Sequence, residues 1–216
     1  MTVIGQAGLG AWGKNLARNF DELADLAWLC DADESRRREF AARYSNAQVT
    51  GDFEELLADP SVEAVVIATP VPTHYELAKL ALEAGKHVFV EKPPAMRAAE
   101  MEELCDLAEQ RDLVLMPGHL LLYHPAVNML KSLVEQGELG DVLCVYSNRQ
   151  NLGVIRRHEN ALLSLGVHDL SVILYLLEEE PAEVWAHGNA FLNEGVEDIV
   201  FCYLRFPSGK IAHMHL

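Results

Sequence analysis

The segment Gly8-Leu9-Gly10-Ala11-Trp12-Gly13 places three glycines close to the N-terminus of the chain. It follows the apolar run Val3 to Ala7 and leads into a segment of helical periodicity that starts at Gly13. Three glycines at this spacing between a strand and a helix are typical of a backbone turn that cradles a diphosphate. Gly8 permits the tight turn, Gly10 lets the diphosphate approach the backbone, and Gly13 lets the helix pack closely on the sheet.

Asp31 meets a second requirement of a dinucleotide site. It ends the apolar run Ala27 to Cys30, roughly 20 positions after the glycines, where a carboxylate can bind the adenine ribose and repel the 2′-phosphate of NADP. We therefore predict that the glycine turn, including Ala11 and Trp12, binds NAD together with Asp31, and that NADP is less favoured. Arg36 to Arg38 could offset part of the repulsion. The alternative is an ordinary strand-to-helix turn in which Asp31 caps the next helix.

Short apolar runs alternate with helical segments as far as about Leu115, which predicts a Rossmann-type, doubly wound parallel sheet of α/β class. The predicted strands are Val3 to Ala7, Ala27 to Cys30, Ala64 to Ala68, His87 to Val90 and Leu113 to Met116. The predicted helices are Gly13 to Phe20, Glu34 to Tyr44, His74 to Ala84 and Ala98 to Gln110.

The pattern changes after Pro117-Gly118, where helices at 125–136 and 161–177 accompany longer alternating runs at 142–150, 182–191, 197–206 and 210–216. We therefore predict two domains, a dinucleotide-binding domain over 1–118 and an α+β substrate and oligomerisation domain over 119–216, with an open, mostly antiparallel sheet. The chain stops inside an apparent strand, which suggests a C-terminally truncated domain with an unpaired sheet edge. Such an edge favours a homo-oligomer, a dimer or a tetramer.

Composition excludes several classes of partner. The 216 residues are 50% hydrophobic and 23% charged, with a formal net charge of −16 that disfavours nucleic acid and anionic membranes. No apolar run approaches the ~20 residues that span a bilayer, and no basic leader precedes one, so a cytoplasmic location is expected. The four cysteines form no Cys-x-x-Cys pair, which predicts buried, reduced thiols and neither a disulfide framework nor a metal site.

Polar residues follow two predicted strands of the first domain. Ala68-Thr69-Pro70 and His74 follow the third strand, and Glu91-Lys92-Pro93 follows the fourth. Ligands of such sheets bind beyond the carboxyl ends of the strands, so Thr69, Pro70, His74 and Glu91 are candidates to line the cofactor. Lys92 is a candidate catalytic residue, because an ammonium can polarise a substrate oxygen and stabilise an alkoxide. A capping threonine, a surface histidine and a solvated lysine are the alternatives, and a cis bond before Pro93 is plausible.

Two features of the second domain could contact substrate. His168-Asp169 interrupts an apolar helix, and a neutral imidazole there can take a hydroxyl proton, although a hydrogen-bonded core histidine explains it as well. Asn148-Arg149 ends a strand with side chains suited to carboxylate, phosphate and hydroxyl groups, although a solvated loop is also possible.

Taken together, these motifs resemble the glucose-fructose oxidoreductase, inositol dehydrogenase and MocA (Gfo/Idh/MocA) family over essentially the whole chain. The resemblance implies a Rossmann domain followed by a domain whose open sheet supports the active site and often mediates oligomers. It also implies that Lys92 and His168 form the catalytic pair and that Asn148, Arg149 and Asp169 lie near the substrate.

Within the family, the stretches 118–125, 147–153 and 168–171 look like the branch that oxidises the C3 hydroxyl of UDP-N-acetylglucosamine or its uronic acid. Ser164 stands where many relatives carry an aspartate, which argues against an inositol dehydrogenase. The expected function is an NAD-dependent oxidoreductase acting on a sugar hydroxyl. The alternatives are a dehydrogenase of another cyclic polyol or free sugar, a non-catalytic dinucleotide sensor, and an inactive truncated product.

Overall fold

The computed structural model describes residues 1–151, 153 and 155–216. Leu152, which belongs to the 147–153 stretch singled out above, lies outside the described residues. Contacts divide the chain into two compact units, Met1–Gly118 and His119–Leu216.

The first unit contains a parallel sheet of six strands in the order β3-β2-β1-β4-β5-β6. The strands are β1 (Val3–Ala7), β2 (Asp25–Cys30), β3 (Gln48–Thr50), β4 (Ala64–Ile67), β5 (His87–Val90) and β6 (Leu115–Pro117). The strand order reverses between β1 and β4, so the carboxyl ends of these two strands flank the crevice where dinucleotides bind in such sheets.

Helices cover both faces of this sheet. They are α1 (Gly13–Leu23), α2 (Glu34–Arg43), α3 (Phe53–Ala58), α4 (His74–Glu83) and α5 (Ala98–Gln110). One apolar cluster includes Ala17 of α1 and Phe40 of α2, and a second includes Leu82 of α4 and Leu104 of α5. Burial on both faces explains why the strands read as continuous apolar runs, and it confirms the prediction of a doubly wound α/β sheet.

The second unit has a sheet of four described strands in the order β7-β10-β9-β8. They are β7 (Cys144–Asn148), β8 (Glu183–Asn189), β9 (Ile199–Arg205) and β10 (Ile211–His215), accompanied by α6 (Pro125–Glu135) and α7 (Val167–Leu177). β10 is antiparallel to β9 and parallel to β7, and β9 is antiparallel to β8, which confirms an open, mostly antiparallel sheet. Because β10 is paired on both sides, the edges of this sheet are β7 and β8.

The two faces of the second sheet differ in burial. Alternate residues of β9 and β10, such as Cys202 and Met214, are buried in a cluster with Ile173 of α7. The opposite face carries Tyr146 and Phe201, both exposed. This face is the feature that would support self-association, which stays a prediction.

The prediction that the four cysteines are buried is correct for two of them and wrong for the other two. Cys30 and Cys202 are buried, and burial, aided by the neighbouring Asp31, raises the pKa of Cys30 to about 11. Cys105 and Cys144 are exposed instead. Their neighbours Leu104 of α5 and Val145 of β7 pack into or against the cores, whereas these two cysteines lie on the outward faces of the same elements. In the part of the chain that the structure describes, no helix is long and apolar enough to cross a membrane.

Candidate dinucleotide and substrate sites

Two of the three glycines in the turn after β1 are required by the packing of the protein itself. Gly8 has φ +92°, and a Cβ placed there would lie 2.4 Å from the backbone carbon and oxygen of Ala68. A Cβ on Gly13 would lie 2.1 Å from the carbonyl oxygen of Gly8. Both positions therefore have to lack a side chain for the turn to lie against β4 and α1.

Gly10 is different, because protein packing does not require a glycine there. A Cβ on Gly10 would meet only one described atom within 4 Å, Nη1 of Arg36 at 3.7 Å. Among the described residues, no side chain caps the start of α1 and no acidic residue lies in its first turn. The space beside Gly10, at the positive end of the α1 dipole, therefore fits a diphosphate.

Gln6 braces this turn, and the sequence analysis missed it. Its buried Nε2 donates hydrogen bonds to the carbonyl oxygens of Gly8, at 2.9 Å, and Gly13, at 2.8 Å. The signal in the sequence is a lone amide within the apolar strand β1, since a buried polar side chain needs partners.

Asp31 lies at the end of β2, as predicted, and its carboxylate is nearly buried. Oδ2 accepts a hydrogen bond from the backbone N–H of Leu9 at 2.7 Å, and Oδ1 accepts one from Asp33 at 2.8 Å. The helix cap of α2 is Asp33, so the alternative in which Asp31 caps that helix is wrong. Arg36 places Nη1 3.4 Å from Oδ2 of Asp31, which brings a cation beside the carboxylate expected to select NAD.

Trp12 and Glu91 connect the glycine turn to the end of β5. The indole Nε1 of Trp12 donates to Oε1 of Glu91 at 2.6 Å, and the half-exposed Trp12 ring and the exposed Ala11 lie at the surface of the turn. Burial raises the pKa of Glu91, and the hydrogen bonds from Trp12 and from the backbone N–H of Lys92 oppose that rise. The carboxylate of Glu91 thus connects the indole of Trp12 in the glycine turn to the backbone N–H of Lys92.

His74 is buried, which overturns the alternative of a surface histidine. Its Nδ1 lies 2.8 Å from the carbonyl oxygen of Pro93, and its Nε2 lies 2.8 Å from that of Thr69. Both partners are acceptors, so a ring with hydrogen on both nitrogens satisfies both and a neutral ring satisfies one. His74 therefore ties the segment after β4 to the segment after β5 and contacts protein through both nitrogens.

Replacing His74 with Phe is expected to lower the free energy of unfolding by about 3 kcal/mol, because it removes the ring nitrogens that contact the buried carbonyl oxygen of Pro93 and the partly buried one of Thr69. Urea unfolding followed by circular dichroism measures the change. His158 is exposed, so His158→Phe is the matched control and should cost less than about 0.5 kcal/mol. Equal stability of the two variants would contradict a bracing role for His74.

The remaining candidates of the first unit lie at the carboxyl ends of β4 and β5. The hydroxyl of Thr69 is 2.7 Å from that of Thr73, and Pro70 precedes a single 3-10 turn over Val71–Thr73. Lys92 is partly buried, and the Lys92-Pro93 bond is cis, as anticipated. The structure thus brings residues from four segments, namely Gly8 to Gly13, Asp31, Thr69 with His74, and Glu91 to Pro93, to one edge of the sheet.

The other predicted residues belong to the second unit. His168 is partly buried in the first turn of α7, and Asp169 beside it is buried. The guanidinium of Arg149 pairs with Asp169, with Nε 2.9 and 3.1 Å from the two carboxylate oxygens and Nη2 2.8 Å from Oδ1. Arg149 and Asp169 therefore neutralise each other, whereas Asn148 is exposed at the end of β7.

Among the residues described, no three His, Cys, Asp or Glu side chains are grouped to hold a metal ion.

Comparison with known proteins assigns both units to one family. Residues 3–119 match the GFO_IDH_MocA model, described as an oxidoreductase family with an NAD-binding Rossmann fold, and residues 127–216 match the GFO/IDH/MocA C-terminal domain. The chain belongs to the Gfo/Idh/MocA oxidoreductase family. This confirms the family that the motifs predicted.

The names of similar proteins in the family refer to different substrates. Myo-inositol 2-dehydrogenase of Thermotoga maritima is 31% identical, over 96% of this chain and 66% of its own length. UDP-N-acetylglucosamine 3-dehydrogenase of Acidithiobacillus ferrooxidans is 29% identical, over 97% and 65%. The crystal structure of GenD2 from gentamicin A biosynthesis in complex with NAD aligns with a TM-score of 0.93 at 28% identity, over 99% and 65%. The chain thus spans about two thirds of the length of these proteins.

Proposed function

We propose that this Gfo/Idh/MocA chain binds NAD and transfers a hydride between the cofactor and the carbon that bears a ring hydroxyl of a sugar or cyclic polyol. The observation that carries the proposal is the space beside Gly10, which protein packing does not explain and a diphosphate does. The presence of NAD in the similar GenD2 structure supports the same reading. Titration of NADH fluorescence, together with NADH formation from a panel of sugars and polyols, tests both parts.

Lys92 and His168 are the residues that we propose for the chemistry. When bound, NAD supplies the acceptor for the hydride. The Lys92 ammonium donates a hydrogen bond to the reacting oxygen and stabilises the negative charge that develops on it. The His168 ring accepts the hydroxyl proton. Glu91 and His74, which hold the backbone on either side of Lys92, would keep its ammonium in place.

NAD is the proposed cofactor, because the Asp31 carboxylate would repel a 2′-phosphate. Asp31→Asn keeps an oxygen to accept the N–H of Leu9 but removes the charge, and Arg36 remains beside it. We expect the affinity for NADPH relative to NADH to rise about tenfold or more. Fluorescence titrations with both cofactors measure the ratio.

The control for the Asp31 variant is the double variant Asp31→Asn with Arg36→Ala, in which the gain for NADPH should disappear because the cation that would bind the phosphate is gone. An unchanged ratio in Asp31→Asn would show that another group selects the cofactor.

Two substrate classes remain for the proposed reaction. Similarity to the UDP-N-acetylglucosamine 3-dehydrogenase supports a sugar nucleotide oxidised at C3, and similarity to the myo-inositol 2-dehydrogenase supports a cyclic polyol to the same degree. A non-catalytic sensor would bind NADH and form none from any compound of the panel. Assembly into dimers or tetramers and a cytoplasmic location also stay predictions.

A further inference from the structure

Asp169 occupies a position on α7 where an apolar side chain would be expected. It lies four residues before Ile173, and Leu177 follows four residues later, so the three side chains share the buried face of the helix. Ile173 and Leu177 pack in the core under the second sheet, and Asp169 is itself only 6% exposed. A carboxylate at such a position needs a partner that offsets its loss of solvation.

Arg149 supplies that partner from the sheet. It directly follows β7, and its backbone N–H donates to the carbonyl oxygen of His215 on β10 at 2.9 Å. Its side chain contacts Asp169 through two nitrogens, with Nε 2.9 and 3.1 Å from the two carboxylate oxygens and Nη2 2.8 Å from Oδ1. A pair with several contacts fixes direction as well as distance. The first turn of α7 is therefore held at the ends of two strands.

A second contact holds the same end of the helix. A Cβ on Gly166 would lie 2.7 Å from Cδ1 of Leu216, so the backbone just before α7 packs closely against the residue that follows β10. His168 lies between Gly166 and Asp169 in the chain. Adjacent residues of a helix point about 100° apart, so the direction of the His168 side chain is set once Asp169 faces the sheet.

We propose that Arg149 and Asp169 are positioning residues that hold the side chain of His168 in the direction its reaction requires. The inference rests on the proposed function, in which His168 accepts the hydroxyl proton. It replaces the expectation that both charged side chains bind substrate, because each charge is already neutralised by the other. A misplacement of about 1 Å can cost about 100-fold in rate, so a pair that keeps α7 from rotating acts on turnover without touching substrate.

Asp169→Asn tests the pair with the smallest change of shape. It keeps one oxygen for Arg149 and removes the charge, and Arg149, whose side chain is 38% exposed, can turn towards solvent. We expect kcat to fall about 10- to 100-fold, while KM and the affinity for NADH change less than about threefold. Arg149→Lys keeps the charge without the fixed geometry and should lose less. Glu183 pairs with Arg205 on the same sheet, so Glu183→Gln is the matched control and should keep its kcat.

The His168→Ala background separates a positioning role from a purely structural or substrate-binding role. Once the imidazole is removed its direction no longer matters, so adding Asp169→Asn should lower the remaining kcat by less than about twofold. An effect of Asp169→Asn as large in this background as in the unaltered chain would overturn the inference. A rise in KM that accounts for the whole loss would overturn it too, because the pair would then act on substrate directly.

The ring resonance of His168 gives a readout that needs no turnover. In the chain labelled with ¹³C at Cε1 of its nine histidines, NMR identifies this resonance as the one that His168→Ala removes. We expect Asp169→Asn and Arg149→Lys to shift it and Glu183→Gln to leave it in place. An unshifted resonance in both pair variants would overturn the inference, and Arg149→Lys carries all these tests should Asp169→Asn fail to fold.

These readouts separate the inference from the proposed function. Should no compound of the panel give NADH, the proposed function fails, and the His168 resonance alone decides the inference. Full kcat in Asp169→Asn would uphold the dehydrogenase and overturn the inference.

Discussion

Replacing Lys92 with Met is expected to lower turnover about 1000-fold or more while changing the affinity for NADH by less than about threefold. Methionine is an unbranched side chain only one atom shorter than lysine, but it cannot donate a hydrogen bond to the reacting oxygen or stabilise negative charge on it. The glycine turn and Asp31, which are proposed to hold the dinucleotide, are left intact. The loss should therefore appear in kcat, since an interaction made only in the transition state is removed.

Steady-state kinetics on the substrate found by the panel, together with NADH fluorescence, measure this effect. Lys79 forms an ion pair with Glu103 on the outside of the first unit, so Lys79→Met is the matched control and should keep its turnover. His168→Ala should also lower kcat, and the double variant with Lys92→Met should lose less than the product of the two single effects if both side chains act in one step. Unaltered turnover in Lys92→Met would remove Lys92 from the mechanism.

The sequence predicted the elements of the fold best where a strong periodic pattern is bounded by turn residues. The bounds of β1, β5 and α5 were predicted to the residue. Gly8 directly follows β1, Gly85 lies shortly before β5, and α5 has a helical pattern that no glycine interrupts. β3, with three residues, and α3, with six, were missed, since so few residues hardly establish a period. The predicted helix over 161–177 also begins with a wider turn, Leu162–Gly166, which its apolar pattern does not reveal.

The candidate site was predictable as a set of residues and unpredictable as a set of contacts. Motif spacing indicated Trp12 and Glu91 separately, but the hydrogen bond between them joins residues 79 positions apart. His74 likewise appeared as a candidate ligand residue, and its two carbonyl partners depend on how the segments after β4 and β5 approach each other. Such pairings are set by tertiary packing, which local spacing does not encode.

Gly10→Ala is expected to weaken NADH binding about 30-fold or more while changing the free energy of unfolding by less than about 1 kcal/mol. The added methyl group would occupy the space where the diphosphate approaches the backbone, and the nearest described atom to it is a flexible Arg36 nitrogen at 3.7 Å. The free energy of unfolding should change little, because the added methyl group would not clash with any described atom of the protein. NADH fluorescence and urea unfolding, measured on the same preparation, give the two values.

Gly13→Ala should do the reverse, because its methyl group would lie 2.1 Å from the carbonyl oxygen of Gly8 and force α1 away from the turn. We expect a loss of about 3 kcal/mol or more in the free energy of unfolding. Gly85→Ala is the control for backbone conformation alone, since its φ is +74° and no described atom lies within 4 Å of the added methyl, so it should cost about 1 kcal/mol. If Gly10→Ala instead unfolds the chain as Gly13→Ala does, its glycine serves packing and the space beside it is no evidence for a diphosphate. If Gly10→Ala keeps both stability and NADH affinity, the dinucleotide lies elsewhere.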